Sequence, residues 1–409
     1  VTSTLRVLFV NPLAALGGSE RSLLDLLASL RASVPEVEPE LLVFDEGELG
    51  ERARALGVPV HVARLPAELA GLGESKAAPS ALFGQGLSLL RSAPGAVGYV
   101  GELRRLVKSV DPRVVHTNGM KAHLMLALAV PELPRVIHLR DFASERPVTR
   151  HALPWIARGS LIVTNSRAVE ADARRIAPRA RTRVVYNGID LDDFCPGPRE
   201  LERLAHAAGL EPPPVDACVI GMVATRAWWK GHRTFLRAAA LVRDAEPGRK
   251  FRFYVVGGSI YGASGSEISE ADLRRTIAEL SLEREVGLVP FQTEAARIYP
   301  GLDIVVHPSE RPEPFGRTIV EAMAAARPVV VSRAGGALEL FEEGKSALGH
   351  RPGDADDLAR TVLRLVRDEA LRARLGSAAR AEARARFDRS RLGAEVYSSY
   401  GELLRERLG

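Results

Sequence analysis

Cysteine is nearly missing from this chain: Cys195 and Cys218 are the two present among 409 residues. One lies in a Pro/Gly-rich stretch and the other in an apolar run. There is no CxxC and no Cys/His cluster, so neither a disulfide framework nor a zinc site is expected. Long apolar runs are missing too. Leu124 to Val130 is typical, and it stops far short of the ~20 residues a bilayer requires. Val1 to Asn11 leads straight into a strand-like segment without a basic n-region or an apolar h-region, so the expected location is the cytoplasm. Zinc-finger spacing, an RNP aromatic pattern and basic-region heptads are absent, which argues against nucleic acid as a partner. No Asp-x-Asp motif or acidic/His cluster stands at a strand end, so no metal is expected.

What remains is an ordinary globular composition, 46% hydrophobic and 26% charged, with a net charge of +5. Much of the excess is arginine on apparent helix faces between Arg360 and Arg386. Two readings stay open for it: solvated helix surface, or attraction to phosphates of a nucleotide or an anionic lipid.

The length suits two domains. The first half alternates apolar strand candidates (Leu5–Asn11, Leu41–Phe44, Val58–Val60, Val114–Thr117, Arg135–His138, Leu161–Asn165 and Arg183–Tyr186) with amphipathic helical patterns such as Gly18–Arg31 and Ala96–Val110. Several strands are Val/Ile/Leu-rich without alternation, as parallel strands buried on both faces should be. After a proline-rich linker the rhythm returns in Ala217–Val223, Phe251–Gly257, Val286–Phe291, Ile304–His307 and Val329–Ser332. A long helical tail, Asp354–Arg386, and an amphipathic segment, Leu392–Leu408, end the chain. The fold class is α/β, with two Rossmann-like, doubly wound parallel sheets. The expected domains are 1–190, on the acceptor side, and 191–385, on the donor side, with a helix at 386–409 crossing back to the first. Residues 71–95, rich in Gly, Ala, Ser and Pro, are expected to form a mobile insertion. Ligands of such sheets bind beyond the strand carboxyl ends, so the site is expected in a cleft between the domains.

The strongest motif is Glu313-Pro-Phe-Gly-Arg-Thr-Ile-Val-Glu321, which follows a strand and the turn His307-Pro308-Ser309. Phe315 to Thr318 are expected to be a first helical turn whose free N–H groups suit a phosphate. This E-x7-E arrangement after a Pro-Ser turn resembles the family 4 glycosyltransferases, retaining enzymes of the GT-B fold. The resemblance implies that Glu313 lies by the donor sugar hydroxyls and that Glu321 accepts from the ribose. It also implies that the backbone at Phe315, Gly316, Thr318 and Ile319 faces sugar and phosphate. Gly17-Gly18, after the first strand, matches the glycine loop that similar enzymes set against the donor diphosphate. Lys230 and Arg226 match the basic pair that neutralises the leaving group, although the family commonly places the arginine where this chain has Thr225. His138 matches a histidine beside the donor sugar, and His116 and Asn118 end the neighbouring strand. Arg140 and Asp141 serve the acceptor or pair with each other. Gly257 and Phe291 end strands along which the nucleotide passes.

The expected reaction is transfer of a hexose-type sugar from a nucleotide-diphosphate sugar, UDP or GDP, to an acceptor hydroxyl. Configuration is retained without metal or other cofactor, in polysaccharide or glycoconjugate assembly. The acceptor is a glycan, lipid-linked, or a small molecule. Peripheral membrane contact through Leu82, Phe83, Leu87, Leu89 and Leu90 fits the first case. A sugar-nucleotide epimerase of the same fold, or a non-catalytic binding protein, are the alternatives.

Overall fold

The structure is a computed structural model that describes residues 4–70, 82–258 and 267–405, with the backbone alone for residues 70 and 82–94. The chain divides into two compact units, Val1–Gly188 with Arg389–Gly409, and Ile189–Asp388. Each is built around its own parallel sheet.

The first unit runs β1 (Leu5–Asn11), α1 (Gly18–Ser33), β2 (Val37–Val43), α2 (Glu48–Ala55), β3 (Val60–Val62), α3 (Ala67–Ala70), α4 (Leu82–Val110), β4 (Val114–Asn118), α5 (Met120–Ala129), β5 (Arg135–Leu139), α6 (Pro147–Ile156), β6 (Ser160–Thr164), α7 (Arg167–Ile176) and β7 (Arg181–Val184). Its strands lie in the order β3-β2-β1-β4-β5-β6-β7, with every pair parallel. Val7, Leu8, Phe9 and Val10 of β1 are all fully buried. Val7 and Phe9 enter one apolar layer and Leu8 and Val10 the layer on the other face, which explains why that run is apolar without alternation.

The second unit runs α8 (Glu202–Ala207), β8 (Cys218–Val223), α9 (His232–Ala245), β9 (Phe251–Val256), α10 (Glu270–Glu279), β10 (Val286–Val289), β11 (Ile304–His307), α11 (Arg317–Ala324), β12 (Val329–Ser332), β13 (Leu348–His350), α12 (Ala355–Arg367) and α13 (Glu369–Arg386). The strand order is β10-β9-β8-β11-β12-β13. Both sheets therefore reverse direction of travel beside their first strand, between β1 and β4 and between β8 and β11. Such switch points open a crevice at the strand carboxyl ends, and the motif loops leave the sheets there.

The last helix, α14 (Leu392–Arg405), belongs to the first unit. Val396, Tyr400 and Leu403 are fully buried in the layer that covers one face of the first sheet. Each such side chain contributes about 2 kcal/mol of apolar burial. The fit against α1 is close, since a Cβ on Gly393 would stand 3.0 Å from the Ser29 carbonyl oxygen.

Four expectations need correcting. The tail 354–386 is two helices, because Asp368 leaves helical geometry and its carboxylate accepts the Leu371 N–H at 2.8 Å, starting α13 afresh. The second half of the proposed insertion is the start of α4, which begins at Leu82; residues 71–81 lie outside the described residues. The unit boundaries fall at 188/189 and 388/389, not 190/191 and 385/386. Phe315 and Gly316 precede α11, whose first residue is Arg317.

Candidate functional site

In the second unit the loop after β8 and the loop after β11 are locked together by backbone. Gly231 sits at φ +75°, and a Cβ there would lie 1.9 Å from the Pro308 carbonyl oxygen. Only glycine combines that left-handed conformation with that approach. The Glu310 N–H donates to the Trp229 carbonyl at 2.8 Å, and the Arg311 guanidinium lies 4.2 Å over the Trp228 ring. A third loop, after β12, closes on the same place. The Gly336 N–H donates to the Glu313 carbonyl at 2.7 Å, and Gly335, at φ +65°, leaves 2.5 Å between a would-be Cβ and that carbonyl oxygen.

These contacts bring two motif side chains together. The Lys230 ammonium donates to both oxygens of Glu313, at 2.9 and 2.8 Å. Ser309 Oγ donates to the same carboxylate at 3.0 Å, and His307 Nε2 lies 3.4 Å from it. Burial opposes ionisation of Glu313, but Lys230 and His307 outweigh it and hold the carboxyl well below the usual carboxylate range. The pair is thus a fixed lysine cation and carboxylate, half-buried, with 21% and 13% of the side chains exposed.

Glu321 is more enclosed, at 3% exposure. Its oxygens accept from the Tyr299 hydroxyl at 2.7 Å and from Arg317 Nε at 2.8 Å. Phe315 is buried, its ring edge-on to Phe387. Gly316 stands before α11 at φ +101°, and Ile319 is fully buried while Thr318 is partly exposed. Arg226 does not join Lys230 on Glu313. It donates to Glu270 of α10 at 2.9 Å instead. Gly257, at φ +139°, admits the Ala224 carbonyl to 1.9 Å from a would-be Cβ. Phe291 is among the exposed large apolar residues, and a Cβ on Gly258 would reach it at 3.2 Å.

In the first unit Gly17 and Gly18 lead into α1, where the Glu20 carboxylate accepts the Gly17 N–H at 3.1 Å. Gly18 is exposed, and a Cβ on it would meet no atom of the described residues within 4 Å. His138, near the end of β5, is 3% exposed. Its Nδ1 lies 3.1 Å from His116 Nε2, and His116 Nδ1 lies 2.8 Å from the Tyr400 hydroxyl of α14. Burial first, then the Arg140 charge, push both histidines well below their ordinary pKa, so both are neutral. Arg140 donates to Asn118, to Asn187 and to His138. Asp141 pairs with Arg146 rather than with Arg140.

Sequence reasoning brought Lys230 and Glu313 to one place but missed several companions. Ser309 and His307 stood within the quoted turn, and their side chains were the available signal. Tyr299, Tyr400 and Asn187 gave none, because each meets its partner through a fold contact remote in sequence. Cys195 and Cys218 are free thiols.

The family model Glycosyl transferases group 1 matches residues 211–382, and Glycosyltransferase Family 4 matches 16–193. A D-inositol 3-phosphate glycosyltransferase of Corynebacterium jeikeium is 32% identical over 350 residues, covering 83% of this chain and 78% of its own. A 2-deoxystreptamine glucosyltransferase of Streptomyces kanamyceticus is 34% identical over 239 residues, a match spanning 58% of this chain and 57% of that relative. The Anabaena protein HepE, crystallised with UDP and glucose, superposes with a TM-score of 0.77 at 26% identity over 97% of this chain and 99% of its own. The chain belongs to glycosyltransferase family 4: it is a group 1 glycosyltransferase of the GT-B fold, with one Rossmann-like sheet in each unit.

Proposed function

We propose that this glycosyltransferase moves a hexose-type sugar from a UDP-sugar to a hydroxyl of a small polyol acceptor, with retention of configuration and without a metal ion. The observation that carries the reading is the Lys230–Glu313 pair, held at 2.8 Å beneath three interlocked loops at the carboxyl ends of β8, β11 and β12. The uridine assignment leans on the Anabaena neighbour, crystallised with UDP and glucose. Inositol phosphate and 2-deoxystreptamine, named for two relatives, are both hydroxylated six-membered carbocycles, which favours a small polyol over a lipid-linked glycan.

The residues divide the chemistry as follows. The acceptor oxygen bonds to the anomeric carbon as the bond from that carbon to the diphosphate oxygen breaks, and the departing diphosphate takes the acceptor's proton. Negative charge grows on the diphosphate. Lys230 and the N–H groups that begin α11 offset it, as preorganised charge and dipoles do most effectively in a water-poor site. Arg226, tied to Glu270, contributes less. The Glu313 carboxylate is ionised and already accepts from Lys230 and Ser309. That suits a group that orients sugar hydroxyls better than a nucleophile that must turn on the anomeric carbon, so attack on the front face is favoured over a covalent intermediate. His138 is assigned beside the sugar, with Nε2 as its working nitrogen because Nδ1 is engaged. Exposed Gly18, with open space around it, lets a diphosphate approach the start of α1.

The test incubates the protein with UDP-, GDP- and ADP-sugars and a panel of inositols and aminocyclitols, and reads the product's anomeric configuration by NMR. An α-linked product from an α-linked UDP-sugar, undiminished by EDTA, is expected. A β-linked product would remove retention, and loss on chelation restored by Mg²⁺ or Mn²⁺ would remove metal independence. Free sugar and UDP formed at full rate from donor alone would favour an epimerase.

A further inference from the structure

The first unit encloses a hydrogen-bonded chain of groups that can each run in two directions, ended by one that cannot. The Tyr400 hydroxyl, His116 and His138 follow one another at 2.8 and 3.1 Å. All three are at most 3% exposed. A hydroxyl donates or accepts, and a neutral imidazole donates from one nitrogen and accepts at the other. Taken alone, the three groups are equally satisfied with the protons pointing either way along the chain.

Arg140 breaks that balance, because a guanidinium has N–H groups and no acceptor. It donates from Nε to Asn118 Oδ1 at 2.9 Å and from one terminal nitrogen to Asn187 Oδ1 at 2.5 Å. Asn118 is itself oriented, since its amide nitrogen donates to Asn11 Oδ1 at 3.0 Å. The other terminal nitrogen of Arg140 lies 3.4 Å from His138 Nδ1. A proton on Nδ1 would face that N–H, so Nδ1 is bare. His116 Nε2 then carries a proton and donates to it. His116 Nδ1 is bare in turn and accepts from Tyr400. His138 has one nitrogen left for its own proton, Nε2, and that atom has no hydrogen-bond partner among the described residues. His138, Arg140, Ser22 and Asn187 line a cavity of about 10 Å³ with room for one water-sized acceptor.

We propose that Arg140 sets the direction of the buried Tyr400–His116–His138 chain and so makes His138 a hydrogen-bond donor through Nε2, and not a base. Arg140 acts through His138 and is a positioning residue. That the donated bond reaches a sugar hydroxyl rests on the functional reading above; the direction of the chain does not.

Nitrogen-15 NMR of histidine-labelled protein tests it, because protonated and bare ring nitrogens resonate far apart. His116→Gln and His138→Gln variants assign the signals. The wild type is expected to show His116 and His138 both protonated at Nε2 and bare at Nδ1. Arg140→Met, which keeps the length and removes the donors, is expected to give mixed or reversed tautomers. Tyr400→Phe is expected to keep the wild-type pattern, since the direction is set at the other end. A proton on His138 Nδ1 in the wild type overturns the proposal, even if Arg140→Met does not fold. So does an unchanged pattern in Arg140→Met, or a reversed one in Tyr400→Phe. Turnover is a separate readout: wild-type transfer by His138→Leu would remove His138 from the sugar while leaving the NMR result intact.

Discussion

The two units share a parallel-sheet plan but hold their polar groups by different means. In the second unit the groups are charged, sit on loops, and are placed by backbone: Gly231 and Gly335 leave no room for a side chain where loops cross. In the first unit they are mostly neutral rings and amides on β4, β5 and α14, placed by side chain on side chain, as in Tyr400, His116, His138 and Asn118. A charged pair fixed by backbone can carry a strong field without depending on proton positions. A network of neutral donors and acceptors depends on them entirely. The units should therefore fail under different insults.

The largest effect is expected at Lys230. Lys230→Ala removes the cation from Glu313 and should lower kcat on the order of 10²-fold, as loss of one preorganised charge-stabilising group does. Steady-state kinetics check this, and a wild-type rate would take the leaving-group role away from this loop. Gly231→Ala attacks the placement instead of the charge. Its Cβ collides with the Pro308 carbonyl at φ +75°, so denaturant unfolding should show a loss of about 2 kcal/mol or more in the second unit.

Acid should separate the units further. His123 is pushed down to about 3 by burial, and His116 and His138 also lie well below the ordinary value. The folded first unit keeps these rings neutral, while the unfolded chain protonates them below about 6.5. Their stabilisation is present above that pH and is lost as the pH falls towards the folded values; His123 alone accounts for about 2 kcal/mol at pH 5. Glu313 keeps its contribution through this window and loses it only below the ordinary carboxylate range, about 4. The second unit has its own lowered histidines, His232, at about 4, and His350, so it weakens too, but less. Hydrogen exchange between pH 7 and 5 should expose β4 and β5 before β8 and β11, and the opposite order would break the contrast. The smallest effect is expected at Gly18. With open space around it, Gly18→Ala should leave Tm unchanged and lower kcat/KM for the donor about tenfold, through crowding of the diphosphate. Unchanged kinetics would remove Gly18 from the site.

What was legible in the sequence follows from how local each cause is. β1, β11 and β12 were read with their true ends because each is built on an apolar run (Val7–Val10, Ile304–Val306 and Val329–Val331) that stops at a polar residue before a turn. β13 was missed because a three-residue strand carries no period to detect. The break at Asp368 was written as an Asp three residues before the N–H it caps, a signal hidden inside an Ala/Arg run that reads as one helix. Lys230 and Glu313 were found through their motifs. The pairing of Arg226 with Glu270 and of His116 with Tyr400 was not, because nothing near either residue encodes a partner 44 or 284 positions away.

The placement of α14 has a consequence for the order of events at the ribosome. Tyr400, Val396 and Leu403 complete the first unit's core, yet they follow all of Ile189–Asp388 in the chain. At about 5–20 residues per second, those roughly 200 residues take on the order of 10–40 s to emerge. Throughout that interval the first unit waits with the α14 part of the apolar layer beside α1 unfilled and His116 without its hydroxyl, while every element of the second unit becomes available before α14 does. The half of the protein that is synthesised first is thus the half that cannot finish folding until the other half has been made.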